Sequence, residues 1–325
     1  MLPNRTKKPV DQLAQQFKLR SSGTVAVESF FIFFIGLLAF LGNLMVLIAV
    51  TKNARLRRKV PNVYIITLAV SDFLMPITGI SFTFISVMLG KWSFNSIVCQ
   101  FQGFCILLMC AVSLQSLALT AVNRYYRIAR SQAEYQKIFT LKSTKIMISI
   151  LWIIAIFAPL PYVVANQEFF FHPGKVFCTH NLESLLKGYG AFLVLFYVTV
   201  PLVVIVICYS KVFITIRHHN SVSVSRLREN SASSARLSVE EIDLTYTLFF
   251  VVLGFLVCWT PVLIIDMIDF VNKDWLLPRA AYFAYTCCGF GSTAVNPIIY
   301  GIRNRSFRKE YYNILTCGAQ RSDNR

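Results

Sequence analysis

The sequence is short of charge: only 14% of its 325 residues are Asp, Glu, Lys or Arg, while 56% are hydrophobic. A soluble domain needs about a quarter of its residues charged, so the composition excludes a soluble globular protein and predicts lipid as the solvent. Histidine is also scarce. The four histidines fall in predicted loops with no clustered nucleophile, base or metal ligand, which argues against an enzyme.

Seven apolar runs are long enough to cross the ~30 Å hydrocarbon core of a bilayer, which takes ~20 helical residues. We number them spans 1 to 7: Ser29–Thr51, Asn62–Leu89, Ser96–Asn123, Ile146–Val164, Gly188–Ser210, Leu244–Ile265 and Ala280–Ile302. We expect no cleavable signal sequence before span 1, and we expect span 1 itself to serve as the membrane signal. The pattern predicts an all-α membrane protein, a seven-transmembrane helix bundle.

The basic residues lie mainly on one side of the membrane. When successive loops are assigned to alternate sides, 22 of the 32 Lys and Arg residues fall on the side that holds the C-terminus. By the positive-inside rule this side is cytoplasmic and the N-terminus is extracellular. The net charge of +17 then indicates contact with anionic lipid and a partner protein, and not with nucleic acid.

We expect three regions along the chain. Residues 1–28 form an extracellular tail with a glycosylation sequon at Asn4, residues 29–302 form the membrane domain, and residues 303–325 form an eighth helix and a short tail. The Ser- and Arg-rich stretch 217–238 is predicted to be mobile, with a helix resuming near Leu237. The outer loop that ends at Cys178 has two aromatic runs around a Pro-Gly turn, which predicts a hairpin over the extracellular mouth.

Cysteine is present nine times, but not as a disulfide scaffold. Six of the cysteines lie inside apolar spans and are expected to be small core residues. Cys99, at the outer start of span 3, and Cys178, in the loop before span 5, face an oxidising compartment. We expect these two to be bridged.

Asp72 carries the one formal charge within the predicted spans. A carboxylate at mid-membrane is costly unless it is solvated or paired, so it indicates either a functional site or a protonated acid in a polar network. Oxygen ligands around one carboxylate suit a hard cation. We therefore expect an allosteric sodium ion, with these candidate ligands: Asp72, Ser113, Ser292 and Asn296, and Asn43 nearby.

Three further motifs lie at helix ends or kinks. Arg124 follows Asn123 at the inner end of span 3, and alone it would be read as an interfacial arginine. Pro261 in span 6 and Pro297 in span 7 each remove a backbone hydrogen bond and kink their helices. A kinked span 6 can swing its inner end.

Together these motifs resemble the rhodopsin-like (class A) G-protein-coupled receptors over nearly the whole chain. The matching landmarks are Gly42-Asn43, Leu68-Ala69-Val70-Ser71-Asp72, Cys99, Asn123-Arg124-Tyr125, Trp152, Cys178, Pro201 with Tyr209, Cys258-Trp259-Thr260-Pro261 and Asn296-Pro297-Ile298-Ile299-Tyr300. The segment after Tyr300 looks like the family's amphipathic eighth helix, with Phe307 facing lipid. Cys317 resembles a palmitoylation site, although an unmodified cysteine fits as well.

Within that family the chain is most similar to melatonin receptors, through Val122-Asn123-Arg124-Tyr125 and the segment around Tyr300 and Phe307. Their ligand-contact residues are substituted here. The positions of a pocket Asn, a span 5 His and two loop residues hold Tyr162, Tyr197, His180 and Leu182. The resemblance therefore does not support melatonin as the ligand.

The same comparison excludes two other ligand attachments. The position of the aminergic counter-ion holds Ile106, and the position of the retinal-binding lysine holds Phe290. What remains is an apolar pocket that suits a small amphipathic ligand. Its expected lining is Ile106, Cys110, Tyr162, His180, Tyr197, Trp259, Leu263, Asp266 and Phe290. Asp266 lies at the rim, and it and Asp269 are equally well read as solvated residues at a helix end.

The resemblance implies a plasma-membrane receptor that couples a small-molecule ligand to a heterotrimeric G protein, with arrestin and membrane lipids as further partners. The implied switch residues are Asn123, Arg124, Tyr209, Glu241 and Tyr300. Arg124 pairs with Glu241 in the resting state. The alternatives are an opsin-related receptor without covalent retinal and a small-solute transporter, but a transporter typically has internal repeats, which are not seen here.

Overall fold

The structure is a computed structural model, and it describes residues 9–164, 168–180, 188–227, 239–272 and 274–316. Span 1 is Ser22–Lys52, span 2 is Val60–Leu89, span 3 is Ser96–Ala129 and span 4 is Leu141–Val164. Span 5 comprises Tyr189–Leu193, Val194–Thr199 and Val200–Leu227, span 6 is Val239–Asn272 and span 7 is Arg279–Arg303. Short helices are Pro9–Lys18, Ala54–Arg57, Gln132–Ile138 and Arg305–Leu315.

The long helices form the seven-transmembrane bundle that the sequence predicts. In the described part of the chain, spans 1 to 6 are each long and apolar enough to cross a membrane. Span 7 has 25 residues, enough for ~37 Å of helix, but it carries buried polar groups, among them Thr286, Ser292 and Asn296. These lower its mean hydropathy and face the bundle.

Span 3 lies at the centre of the bundle, and many of its polar residues, among them Ser113, Ser116 and Asn123, are buried. It packs on spans 2, 4 and 5 and on the hairpin. The outer faces of spans 1, 4 and 5 are instead exposed and apolar, as Phe33, Ile153 and Val206 show. Backbone groups are paired inside each helix and apolar side chains point away from the bundle, which is the arrangement that lipid requires.

Prolines shape the spans locally. Span 2 has a π-helical turn at Pro76–Ile80 and span 5 has one at Val194–Thr199, just before Pro201. A proline removes one backbone donor, and the wider turn absorbs the break. Span 4 is interrupted: its first helix is Leu141–Ile156 and its second is Leu160–Val164, with Pro159 between them. The sequence reading gave one unbroken run here.

The described residues before span 1 include a helix that the sequence does not predict. A helix at Pro9–Lys18 buries Phe17 against the bundle, and span 1 begins at Ser22, whose N-cap residue Ser21 accepts a hydrogen bond from the Thr24 amide at 3.2 Å. Span 1 thereby includes Glu28, which is buried. A search for apolar runs finds neither the helix Pro9–Lys18 nor the first turns of span 1, because both contain polar residues.

A two-stranded hairpin covers one end of the bundle. Strand β1 (Phe170–His172) pairs antiparallel with β2 (Phe177–Thr179), with Phe171 opposite Cys178. We call this end of the bundle the hairpin end. The opposite end, where Arg124 lies, we call the arginine end.

The predicted disulfide joins the hairpin to span 3. Cys99 and Cys178 are bridged with their Cα atoms 5.4 Å apart. The Gln102 side chain accepts a hydrogen bond from the Cys178 amide at 2.9 Å, and Gly103 allows close approach, since a Cβ there would meet the Phe169 ring at 2.4 Å. The hairpin is therefore fixed on the bundle.

The eighth helix is present at Arg305–Leu315, with Asn304 as its N-cap. The expectation that Phe307 faces lipid is wrong. Phe307 is fully buried, and its ring stacks on Tyr300 with 5.4 Å between centroids. The aromatic ring anchors this helix to the end of span 7 because burial against another ring is available there. Cys317 lies outside the described residues.

Candidate functional site

At the arginine end, Arg124 is completely enclosed by the bundle. Its side chain is 0% exposed, and its Nη1 lies 3.1 Å from Glu241 Oε2 on span 6. Its Nη2 donates to the neighbouring Asn123 Oδ1 at 2.7 Å. Arg127 also pairs with Glu241, at 3.1 Å. Two guanidinium groups on span 3 thus share one carboxylate on span 6 and tie the two helices together.

Asn123 connects this pair to the loop between spans 3 and 4. Its Nδ2 donates to the Tyr135 hydroxyl at 3.3 Å, on the short helix Gln132–Ile138. That helix is held by a capping box between Ser131 and Glu134. Asn123 is therefore a neutral hydrogen-bonding bridge, with its amide oxygen on Arg124.

Two further switch candidates lie near the arginine end with hydroxyls that are buried and unpaired. Within the part of the chain that the structure describes, neither the Tyr209 nor the Tyr300 hydroxyl has a hydrogen-bond partner. Leaving a buried hydroxyl unpaired costs ~1–3 kcal/mol. An arrangement that paired either hydroxyl would recover this free energy.

At the middle of the bundle, Asp72 links three spans. Its Oδ2 accepts from Asn296 Nδ2 at 2.7 Å, and its Oδ1 lies 3.5 Å from Ser113 Oγ. Ser71 Oγ is 3.2 Å from Ser113 Oγ. Ser292 is engaged differently: it accepts from Trp259 Nε1 at 3.2 Å and donates to the Gly289 carbonyl.

The donor set around Asp72 fits a cation in part. Asp72 and Ser113 offer oxygens in one buried place, and Asn296 Oδ1 is a buried acceptor without a hydrogen-bond partner among the described residues. A hard cation prefers such oxygens. Asn296 Nδ2 instead donates to the carboxylate, so that amide would have to turn for its oxygen to become a ligand.

Above Asp72, a pair of aromatic rings lies beside the proline of span 6. Phe255 and Trp259 stack with 5.3 Å between centroids. Phe255 belongs to the same apolar cluster as Leu114 of span 3. Trp259 lies two residues before Pro261, which removes a backbone hydrogen bond from span 6, so repacking of these rings acts at a weak point of the helix.

The expected ligand pocket is partly filled by the hairpin. Phe177 of β2 packs on Phe290 with ring centroids 5.8 Å apart, and on Tyr285 at 6.3 Å. Tyr197 is buried and directs its hydroxyl to the Ile154 carbonyl of span 4, at 2.7 Å. Sequence reasoning had assigned Phe290 and Tyr197 to the pocket lining but missed Phe177.

The wall near span 4 is aromatic and neutral. Tyr162 stacks on His180 with 5.6 Å between centroids and contacts Phe169 at 5.3 Å. Burial, and then the charge of Lys175, lower the pKa of His180 to about 4, so the imidazole is uncharged at neutral pH. Of the remaining candidates, Ile106, Cys110 and Leu263 are half-buried, and Leu182 lies outside the described residues.

Asp266 and Asp269 both contact the hairpin, although the Asp266 side chain is still 42% exposed. Asp266 Oδ1 is 2.9 Å from Lys175 Nζ, and Asp269 is buried and accepts from the Tyr282 hydroxyl at 2.6 Å. The sequence shows the two acids three residues apart, but it gives no sign that a hairpin lysine reaches them.

The structure contains a second buried charge cluster that the sequence does not predict. Glu28 of span 1 pairs with Arg20, which precedes the span, and with Arg279 at the start of span 7. Arg20 also donates to the Phe17 carbonyl at 2.8 Å. The cluster joins the N-terminal helix to spans 1 and 7.

Comparisons with known proteins agree with this geometry. Residues 42–300 match the family model of the 7 transmembrane receptor (rhodopsin family). The chain is 27% identical over 304 residues to melatonin receptor type 1B-B of Danio rerio, covering 92% of this chain and 84% of that one. It is 25% identical over 299 residues to melatonin receptor type 1A of Mus musculus, covering 91% and 82%.

A solved structure of squid rhodopsin is similar in fold. It superposes with a TM-score of 0.79 at 21% identity, covering 99% of this chain and 94% of that one. Identity this low supports the arrangement of the helices and leaves the ligand open.

Proposed function

Because the chain belongs to the rhodopsin family of seven-transmembrane receptors, we propose that it binds a small amphipathic ligand at its hairpin end and activates a heterotrimeric G protein at its arginine end. It is a multi-pass protein of the plasma membrane, and we propose that the N-terminus and the hairpin face outward. It is similar to melatonin receptors at low identity. Melatonin itself is not proposed, since the matched polar contacts are substituted.

One observation carries the coupling proposal: the buried Arg124 is paired with Glu241 across spans 3 and 6 at 3.1 Å. A buried guanidinium that lost its carboxylate would be strongly destabilised unless another partner replaced it. A G protein inserted at the arginine end supplies that partner. The pair therefore holds the resting state, and the partner stabilises the open one.

The ligand acts by preferring one of the two states. Contact near Trp259 repacks Phe255, and Pro261 provides the bend about which the inner half of span 6 moves outward. The unpaired hydroxyls of Tyr209 and Tyr300 then turn inward and find partners in the open form. This accounts for two buried polar groups that the resting structure leaves unsatisfied.

Two further interactions belong to the proposal. Asp72 and Ser113 hold a sodium ion in the resting state, with Asn296 as the adjustable third ligand. Basic residues at the arginine end contact anionic lipids, and arrestin binds the same end as the G protein.

Removing Glu241 tests the switch without a known ligand. Glu241→Ala deletes the restraint on span 6 and should raise ligand-free G-protein signalling several-fold, since such couplings are typically ~1–3 kcal/mol. Arg124→Ala removes the same pair, but it also removes the group that meets the G protein, so it should abolish signalling. Asn123→Asp adds a second carboxylate beside Arg124 and should lower basal activity. Signalling is measured in cells at matched surface expression.

The neighbouring residue provides a matched control. Glu240 pairs with Lys59 at the surface, with both side chains largely exposed, and exposed pairs contribute little. Glu240→Ala should therefore leave basal signalling unchanged. Equal loss of signal in Arg124→Ala and Glu241→Ala would mean that Arg124 is an ordinary structural arginine, and the proposed switch would be abandoned.

A further inference from the structure

The turn of the hairpin places a lysine inside the hairpin end of the bundle. Lys175 follows Pro173 and Gly174 in the turn between β1 and β2, and its side chain is only 6% exposed. Its Nζ lies 2.9 Å from Asp266 Oδ1 and 3.7 Å from Asp269 Oδ2 on span 6. A primary ammonium is thus already bound between two carboxylates, supplied by the chain itself.

Aromatic side chains of span 7 complete the surroundings of this ammonium. The Tyr285 ring centroid is 4.2 Å from Lys175 Nζ, within the range of a cation–π interaction. The Tyr285 hydroxyl donates to Asp266 Oδ2 at 3.1 Å, and the Tyr282 hydroxyl donates to Asp269 Oδ1. Both carboxylates are therefore held in position by phenol groups while their other oxygens face the lysine.

The charges at this place do not balance. Two carboxylates surround one ammonium, which leaves a formal charge of minus one. Asp269 is 3% exposed, and its Oδ2 has no hydrogen-bond partner among the described residues. The Asp266 side chain is 42% exposed. One carboxylate is thus buried and under-satisfied, while the other is open to an incoming cation.

The lysine side chain is not needed to hold the turn. His172 Nδ1 accepts hydrogen bonds from the amides of Gly174 at 3.1 Å and Lys175 at 3.0 Å. The Lys175 carbonyl accepts from Thr286 Oγ1 of span 7. Gly174 lies so close to Tyr282 that a Cβ would meet it at 2.9 Å. Because the backbone anchors the turn, the ammonium can leave its place without unfolding the hairpin.

We propose that Asp266, Asp269 and Tyr285, here called the ammonium site, bind the protonated primary amine of the receptor's ligand, which displaces the Lys175 side chain. This names the polar group of the amphipathic ligand and so rests on the proposed function. The counter-ion that is missing at Ile106 of span 3 is supplied here by span 6. The apolar part of the ligand lies against Phe177 and Phe290.

Restoring the missing cation from solution tests the site directly. In Lys175→Ala, n-butylammonium chloride replaces the deleted side chain and should raise the thermal unfolding temperature of the purified full-length chain. The half-maximal concentration should be measurably lower than in the unmodified chain, where the tethered lysine competes for the same carboxylates. Neutral n-butanol and sodium chloride at equal concentration should have no such effect.

Two further variants serve as controls, one that removes another lysine and one that removes a carboxylate of the site. Lys91 lies exposed in another loop at the hairpin end, so Lys91→Ala should respond like the unmodified chain. Adding Asp266→Asn to Lys175→Ala should abolish the response. Lys175→Met, which keeps the apolar stem without the charge, repeats the test if the alanine variant does not accumulate. If neither accumulates, the unmodified chain should respond to butylammonium and Asp266→Asn should not.

Two results would overturn the ammonium site: an equal butylammonium response with and without Lys175, or a response that survives Asp266→Asn. Either would leave Lys175 as a buried ion-pair partner of Asp266 and Asp269 without a ligand-binding role. The thermal unfolding measurement contains no G protein, so its outcome does not depend on that of the Glu241 signalling test. A chain that binds butylammonium but does not signal would contradict only the proposed function.

Discussion

His172 is a buried histidine whose neutral form holds the hairpin turn. It is 0% exposed, it packs on Trp275 and Tyr282, and its Nδ1 accepts two amide hydrogens. A protonated ring would lose that acceptor and would face the charge of Lys175. Burial first, and then Lys175, lower the pKa of His172 well below its ordinary value.

Acid should therefore destabilise the hairpin. As the pH falls below the ordinary histidine pKa of about 6.5, the unfolded chain takes up a proton that the folded chain excludes. Each such proton costs ~1.4 kcal/mol per pH unit until the lowered folded pKa is reached. His172→Asn keeps an acceptor without the titration, so its unfolding temperature should fall less between about pH 7.5 and about pH 5.5. An equal fall in both chains would assign the acid sensitivity to other groups, such as His180.

Single residues were predictable from the sequence where their chemistry allows one partner. Cys99 and Cys178 were such a case, since the other described cysteines lie inside spans. Phe307 was placed wrongly because helical periodicity shows that a ring needs burial but does not distinguish lipid from Tyr300. Lys175 was missed because its contacts with Asp266 and Asp269 span about ninety residues of sequence and depend on the hairpin turn.

At the scale of elements, the start of span 1 was predicted wrongly because the span contains a charged residue. Glu28 lies inside span 1, but a search for uncharged runs begins the span one residue later, at Ser29. The carboxylate is tolerated because Arg20 and Arg279 both pair with it in a buried cluster. The break in span 4 was not predicted because Pro159 and Pro161 do not interrupt an apolar run. Hydropathy takes no account of the backbone donors that prolines remove.

The Glu28 cluster should be a large local contribution to stability. Glu28→Ala leaves two buried guanidinium groups unpaired, and breaking a buried pair in this way costs ~3–5 kcal/mol. Its unfolding temperature in detergent should fall well below that of Glu240→Ala, which removes a carboxylate of an exposed pair. If the two variants unfold at the same temperature, the cluster is hydrated in solution and contributes no more than a surface pair.

At the scale of the whole molecule, the seven-helix architecture followed from the length of the apolar spans, but the contacts that connect the two ends of the bundle did not. The sequence shows polar residues in spans 2, 3 and 7. It does not show that Asn296 donates a hydrogen bond to Asp72, while Ser292 accepts one from Trp259. These two contacts link the level of the ligand pocket to the carboxylate at mid-membrane, and they depend on the rotation of each helix about its axis.

We propose that Asp72 connects a bound sodium ion with Trp259 and with the Arg124–Glu241 pair. A sodium ion held by Asp72 and Ser113 binds spans 2 and 3 in the resting arrangement, so it should disfavour the open state by its differential affinity. In membranes with added G protein, replacing sodium chloride by potassium chloride at equal ionic strength should raise basal nucleotide exchange several-fold. Asp72→Asn lacks the carboxylate and should give the same exchange rate in both salts.

Asp243→Asn, at an exposed position of span 6, is the matched control and should keep the sodium effect. Sodium dependence of equal size in Asp72→Asn would place the ion elsewhere and leave Asp72 as a protonated member of a polar network.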